Sequence, residues 1–170
     1  LSGDVAVSTG VFHHIAFVRD GGQERVYLDG LLVAQRAAVG DIDDDGTSTP
    51  AVGAQIFQDT SFMAQSFIGQ IDSLRISNVA RYSGASFSAP QGDLGSDSGT
   101  LLLYNFGAAD LVGNQLADLS GNGHTGTLGL GFAGATAPEI LSAVPEPGTW
   151  ALMLAGVACM GLRRCQRSGK

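Results

Sequence analysis

Cysteine is missing from residues 1–143, lysine occurs once in the chain, as Lys170, and tryptophan once, as Trp150. Without cysteine, the long first part of the chain can hold neither a disulfide framework nor a thiolate zinc site, and no disulfide reports its redox compartment. Basic residues are almost as scarce there. Residues 1–143 carry five arginines against fifteen acidic residues, a net charge of −10. Such a field repels a phosphate backbone, so no nucleic-acid partner is expected. Glutamate is limited to Glu24, Glu139 and Glu146, which leaves little for a glycosidase needing two placed carboxyl groups. Gly-x-Ser-x-Gly, phosphate-loop and zinc signatures are all absent. No segment before the C-terminal tail sustains a 3.6-residue apolar period, which argues against a helical body.

What is present reads as short strands. FHHIAFVR (12–19) runs into the turn signal Asp20-Gly21-Gly22, and ERVYL (24–28) follows. Asp29-Gly30 then separates that run from LLVAQ (31–35). A two-residue Asp-Gly between apolar runs is a strong hairpin signal, because a type I′ turn needs positive φ at both positions. A three-stranded meander is expected. AVGAQIF (51–57), SFIGQIDSLRIS (66–77) and TLLLYNF (100–106) are further strand candidates, separated by loops rich in Gly, Ser and Asp. Short strands at this spacing predict an all-β, antiparallel sandwich or jelly roll.

Several residues invite a functional reading. His13 and His14 are neighbours on an expected strand and so face opposite ways; with no Cys or Glu beside them, a structural role is expected. Asp72 and Arg75, three apart in an expected strand, also face apart and read as separate hydrogen-bonding groups. Tyr27, Phe67 and Tyr104 read as core or face aromatics. The best metal candidate is DIDDDG (41–46). Asp41, Asp43, Asp45 and Gly46 reproduce the opening spacing of an EF-hand loop, a possible calcium site. Position twelve is Val52 instead of a bidentate Glu, and Pro50 interrupts the loop, so a solvated acidic loop is the stronger reading. Asp118 and Asn122 form a weaker pair, whose plainer reading is an Asx-type turn.

The tail reverses the chemistry. Residues 144–170 carry three arginines, one lysine and one glutamate, a net charge of +3. Val144-Pro145-Glu146-Pro147 cannot lie inside a helix. Trp150 to Leu162 is free of charge, and thirteen residues at ~1.5 Å each span roughly 20 Å, short of the ~30 Å hydrocarbon core. Arg163, Arg164 and Arg167 follow, where they would hold the C-terminus in the cytoplasm. A core helix of this length is the alternative, but one seldom sits at a terminus between prolines and a basic cluster.

The order Pro-Glu-Pro, short apolar segment and Arg-rich end resembles the PEP-CTERM sorting signal of exopolysaccharide-producing Gram-negative bacteria. The resemblance implies an exosortase in the inner membrane that recognises Pro145, Glu146 and Pro147 and cleaves near them. It implies only a transient anchor, with the arginines snorkelling to the interface. Such proteins normally begin with a secretory signal peptide. The first residues here show neither a basic nor an apolar leader, and a missing N-terminus is expected.

FHHIAFVRDGGQERVYLDGLLVA followed by FIGQIDSLRISNVARY resembles a LamG-like, concanavalin A-like jelly roll over roughly residues 10–130. Phe12 stands where that family usually has Trp, and Leu28 where it usually has Val. DLSGNGHTGTL (118–128) resembles a strand and turn that often begin such domains. The expected organisation is a partial LamG-like domain over 1–132, a linker over 133–143 and the sorting signal over 144–170 with a short transmembrane helix at 149–162. This fold hosts both lectins and glycosidases, so the fold alone does not choose between them. With its few glutamates the chain is expected not to be an enzyme. The expected role is a secreted or surface protein that binds extracellular polysaccharide or glycoconjugate, or mediates adhesion. Alternatives are a structural matrix protein without a defined ligand, and an accessory domain of a larger surface glycosidase.

Overall fold

The computed structural model describes residues 5–40, 50–57, 62–64, 67–129 and 138–141. The chain divides into two units, Leu1–Pro138 and Glu139–Lys170. All regular elements among the described residues belong to the first.

Those elements are ten strands and one 3₁₀ turn. The strands are β1 (Ile15–Asp20), β2 (Gln23–Leu28), β3 (Leu31–Ala37), β4 (Gln55–Phe57), β5 (Phe62–Ala64), β6 (Leu74–Ser77), β7 (Thr100–Tyr104), β8 (Leu111–Val112), β9 (Gln115–Leu116) and β10 (Gly126–Thr127). The 3₁₀ turn spans Ala108–Asp110. Every described strand pairing is antiparallel, in the sheets β1-β2-β3, β10-β9-β8, β4-β5 and β6-β7. The fold class is all-β, as the sequence implies.

The meander forms because both of its turns are two residues long and made of residues that accept positive φ. Gly21 and Gly22 sit at φ 53° and 79°, and Asp29 and Gly30 at 51° and 80°. The primed turn expected at Asp29-Gly30 is therefore present, and its twist matches that of the strands it joins. Gly30 has a second reason to be glycine: a Cβ there would lie 2.1 Å from the Phe87 carbonyl oxygen. The segment from Ala85 to Phe87 crosses this hairpin, with the Phe87 amide donating to the Gly30 carbonyl at 2.8 Å and the Leu32 amide to the Ala85 carbonyl at 3.0 Å.

Three strand expectations need correction. β1 starts at Ile15 instead of Phe12, because Ile15 pairs with Leu28 and the partner strand then turns at Asp29. His13 and His14 therefore precede the strand, and their expected alternation across it does not apply. β6 starts at Leu74, opposite Tyr104. The residue that would face Asp72 is Phe106, whose φ of 50° turns the chain away. Arg75 thus lies in the strand and Asp72 outside it. In the 51–57 run only Gln55–Phe57 is strand.

The core is narrow. Among the described residues the buried apolar side chains are Val18, Tyr27, Leu103, Tyr104 and Leu116. Tyr27 is fully buried and donates its hydroxyl to the Gly84 carbonyl at 3.0 Å. Around it, Tyr82 and Phe87 stack with centroids 3.7 Å apart, and His14 meets both rings edge-on. Each such pair adds about 1 kcal/mol to the burial of its rings. Tyr27 and Tyr104 thus take the expected core positions, whereas Phe67 is 59% exposed.

Candidate functional site

The hairpin tip gathers polar groups that lie far apart in sequence. The Asp29 carboxylate accepts from the His14 amide through Oδ1 at 2.9 Å and meets His13 Nδ1 through Oδ2 at 2.7 Å. The backbone closes the same corner, with the Asp29 amide donating to the His14 carbonyl at 2.8 Å. A carboxylate can only accept, so His13 Nδ1 carries the proton. On the other side of the ring, Nε2 lies 2.9 Å from Ser8 Oγ and 3.2 Å from the Ser8 carbonyl oxygen. The His13 hydrogen bond, then the His14 amide, hold the Asp29 carboxyl below its ordinary value. His14 is drawn below the ordinary imidazole value by burial, against the pull of Asp29 and with the push of Arg75. Its Nδ1 is buried with no hydrogen-bond partner among the described residues.

Neither Cys nor Glu adjoins the two histidines in the sequence; the carboxylate they meet is that of Asp29, which a turn fifteen residues after His14 brings to them. The Asp-Gly signal locates the turn, but which residues Asp29 meets depends on β1 beginning its pairing at Ile15 opposite Leu28, and no local signal carries that.

Glu24, the one glutamate of the described strands, is tied up by arginines. Arg36 Nε lies 2.7 Å from its carboxylate and Arg19 NH1 3.6 Å. The Arg36 hydrogen bond leads in drawing its pKa down. A general acid needs the opposite shift. Arg75 donates to the Gly95 carbonyl and the Tyr82 hydroxyl, in keeping with a hydrogen-bonding role. Arg81 makes a fork to both Asp97 oxygens, at 2.8 and 2.6 Å. That fork, with the Thr100 hydroxyl and the Gly99 amide, holds Asp97 well below the usual carboxylate range.

Asp118 and Asn122 build a turn. The Asp118 carboxylate accepts from the amides of Leu103, Ser120 and His124 and from the Ser120 hydroxyl, at 2.8–3.0 Å. Asn122 donates its amide to the carbonyls of Thr100 and Leu101, each at 3.0 Å. Burial pushes the Asp118 carboxyl up, yet the four donors outweigh it and bring it down to about 2. With its lone pairs so engaged, the pair takes the turn reading over the metal reading.

Asp41, Asp43 and Asp45 lie outside the described residues, as do Pro145, Glu146, Pro147, Arg163, Arg164, Arg167 and the helix expected at 149–162. Among the described residues no helix is long and apolar enough to cross a membrane. Nor does any group of three or more His, Cys, Asp or Glu gather there that could hold a metal ion.

Comparison with known families adds to this geometry. Residues 1–84 match the family model described as the concanavalin A-like lectin/glucanases superfamily, and residues 143–167 match the PEP-CTERM protein-sorting motif. No curated protein and no solved structure matches the chain. The first match takes in the whole meander and stops at Gly84, just before the crossing strap, and leaves the strap, β7 and the Asp118 turn outside it. The chain thus joins a concanavalin A-like, all-β segment to a bacterial sorting signal. That pairing marks an exosortase-sorted extracellular protein.

Proposed function

We propose that this protein is exported to the surface of a Gram-negative bacterium, released there by exosortase cleavage near Pro145-Glu146-Pro147, and binds extracellular carbohydrate or mediates adhesion. The inner membrane holds it only transiently, through the apolar run before Arg163. The sorting match beside a concanavalin A-like segment carries this reading.

The outer face of the meander is the surface proposed for the ligand. Register places Phe17, Val26 and Ala34 in one row and Arg19, Glu24 and Arg36 in the next, on the face opposite Tyr27. Phe17 is 76% exposed, with Ile15 beside it at 52%. An exposed ring next to a row of charged hydrogen-bonding groups suits a sugar, which offers an apolar face and a rim of hydroxyls. Binding is favoured over glycoside hydrolysis because Glu24 is ion-paired and held ionised, and no second body glutamate precedes Glu139. A glycan array probed with the mature protein tests the reading. Binding to defined polysaccharides that Phe17→Ala abolishes supports it. No binding to any glycan leaves the structural matrix protein as the better description.

A further inference from the structure

We propose that Ser8, His13 and Asp29 form a nucleophilic relay that transfers acyl groups from short carboxylic esters. The expectation of a non-catalytic chain came from scarce glutamates and missing signature motifs, and neither bears on these three residues. Ser8 Oγ is 2.9 Å from His13 Nε2, and His13 Nδ1 is 2.7 Å from Asp29 Oδ2. Nucleophile, base and orienting carboxylate are thus joined in order, each within hydrogen-bond reach of the next. The relay is recognised by this geometry, since such constellations recur on unrelated folds without a shared sequence pattern.

Each link has a structural cause. Asp29 is fixed by the primed turn and by the His14 amide, so its second oxygen points at His13. With Nδ1 protonated against that oxygen, Nε2 presents its lone pair to the Ser8 hydroxyl. The Ser8 carbonyl, 3.2 Å from Nε2, gives the ring a second acceptor once Nε2 is protonated. The imidazolium formed during reaction is therefore stabilised on both sides. Ser8 is exposed on an open loop that bends at Gly10, φ 82°. An open surface serine suits an ester that projects from a larger carrier or diffuses freely.

The chemistry balances without a co-reactant other than water. Ser8 Oγ attacks the ester carbonyl carbon while its proton passes to His13 Nε2, and the carbonyl π pair moves onto oxygen. Collapse of that intermediate breaks the bond to the leaving alkoxide, which takes the proton from Nε2 and departs as alcohol. Water then attacks the Ser8 acyl ester, gives a proton to Nε2, and releases the carboxylic acid as Ser8 recovers its hydrogen. Ser8 and His13 are the catalytic residues; Asp29 is a positioning residue.

The full chain, purified in mild detergent, is treated with a fluorophosphonate and, separately, with 4-nitrophenyl acetate. Peptide mass analysis should place the phosphonyl adduct on Ser8. Hydrolysis should run about 10²-fold faster than in Ser8→Ala, a surface change that removes the nucleophile and little else. Asp29→Asn keeps a residue type that tolerates positive φ, and it should lower kcat while leaving KM unchanged. An unlabelled Ser8, with equal ester hydrolysis by the wild-type and Ser8→Ala proteins, overturns the proposal.

Discussion

At the scale of single residues, Gly30 carries the heaviest constraint. It turns the hairpin at φ 80° and lets the Phe87 carbonyl approach to within 2.1 Å of where a Cβ would stand. Gly30→Ala therefore meets two costs together, a left-handed backbone and a collision with main chain that cannot rotate aside. Roughly 2–4 kcal/mol should be lost, on the order of 10 °C in Tm by calorimetry. Asp29→Asn tests the other half of the turn; it should leave Tm nearly unchanged where Asp29→Ala lowers it. Asp43 offers a different test. If calcium binds across Asp41, Asp43 and Asp45, added calcium should raise Tm by mass action and chelator should lower it. Asp43→Ala should abolish that difference, and identical melting curves would favour a plain acidic loop. Of the site residues, the Asp-Gly turn was legible because its geometry demands those residue types. The link from Asp29 to His13 was not, since it depends on where a partner strand ends.

At the scale of elements, the DLSGNGH turn behaves as a unit built around one carboxylate. Asp118 has a folded pKa of about 2 against an ordinary 3.8. Its contribution is therefore complete above about pH 3.8 and declines as the pH falls through the folded value, where the native state also takes up the proton. Asp118→Asn should remove that dependence, so the acid-unfolding curves of wild type and variant should converge near pH 2 and diverge above 4. Asp118→Ala strands the Leu103 amide, part of β7, and should cost roughly 1–3 kcal/mol at neutral pH. The turns at Gly21-Gly22, Asp29-Gly30 and Asp118 were all visible in the sequence, because turn chemistry is local. The strand ends were not. β1 and β6 begin only where the opposite strand has not yet turned away, at Asp29 and at Phe106, and a single run of residues carries no record of its partner's length. The same holds for the His14, Tyr27, Tyr82 and Phe87 cluster, whose members are individually ordinary and meet only because the 85–87 strap crosses the hairpin.

At the scale of the whole molecule, the acidic body and the basic tail have separate tasks. The −10 charge of residues 1–143 repels anionic polymers, so the binding proposed above should favour a neutral glycan over an acidic one. The tail, matched to the PEP-CTERM motif over residues 143–167, is an address. From the sequence, its two prolines disfavour helix around Glu146, which is what an enzyme that must grip an extended backbone would require. As a helix its uncharged run would span roughly 20 Å, short of the ~30 Å core, so the anchor proposed above would be a transient one, oriented by the three arginines. Processing should remove the segment from about Pro147 onward. In an exosortase-bearing host, intact-mass analysis of the surface fraction should show that truncation. Replacing Pro145, Glu146 and Pro147 by Ala should leave full-length protein in the inner membrane. A surface protein that still carries Trp150 and Arg164 would show instead that the segment is a stable anchor or a core helix, because neither residue can survive cleavage at the motif.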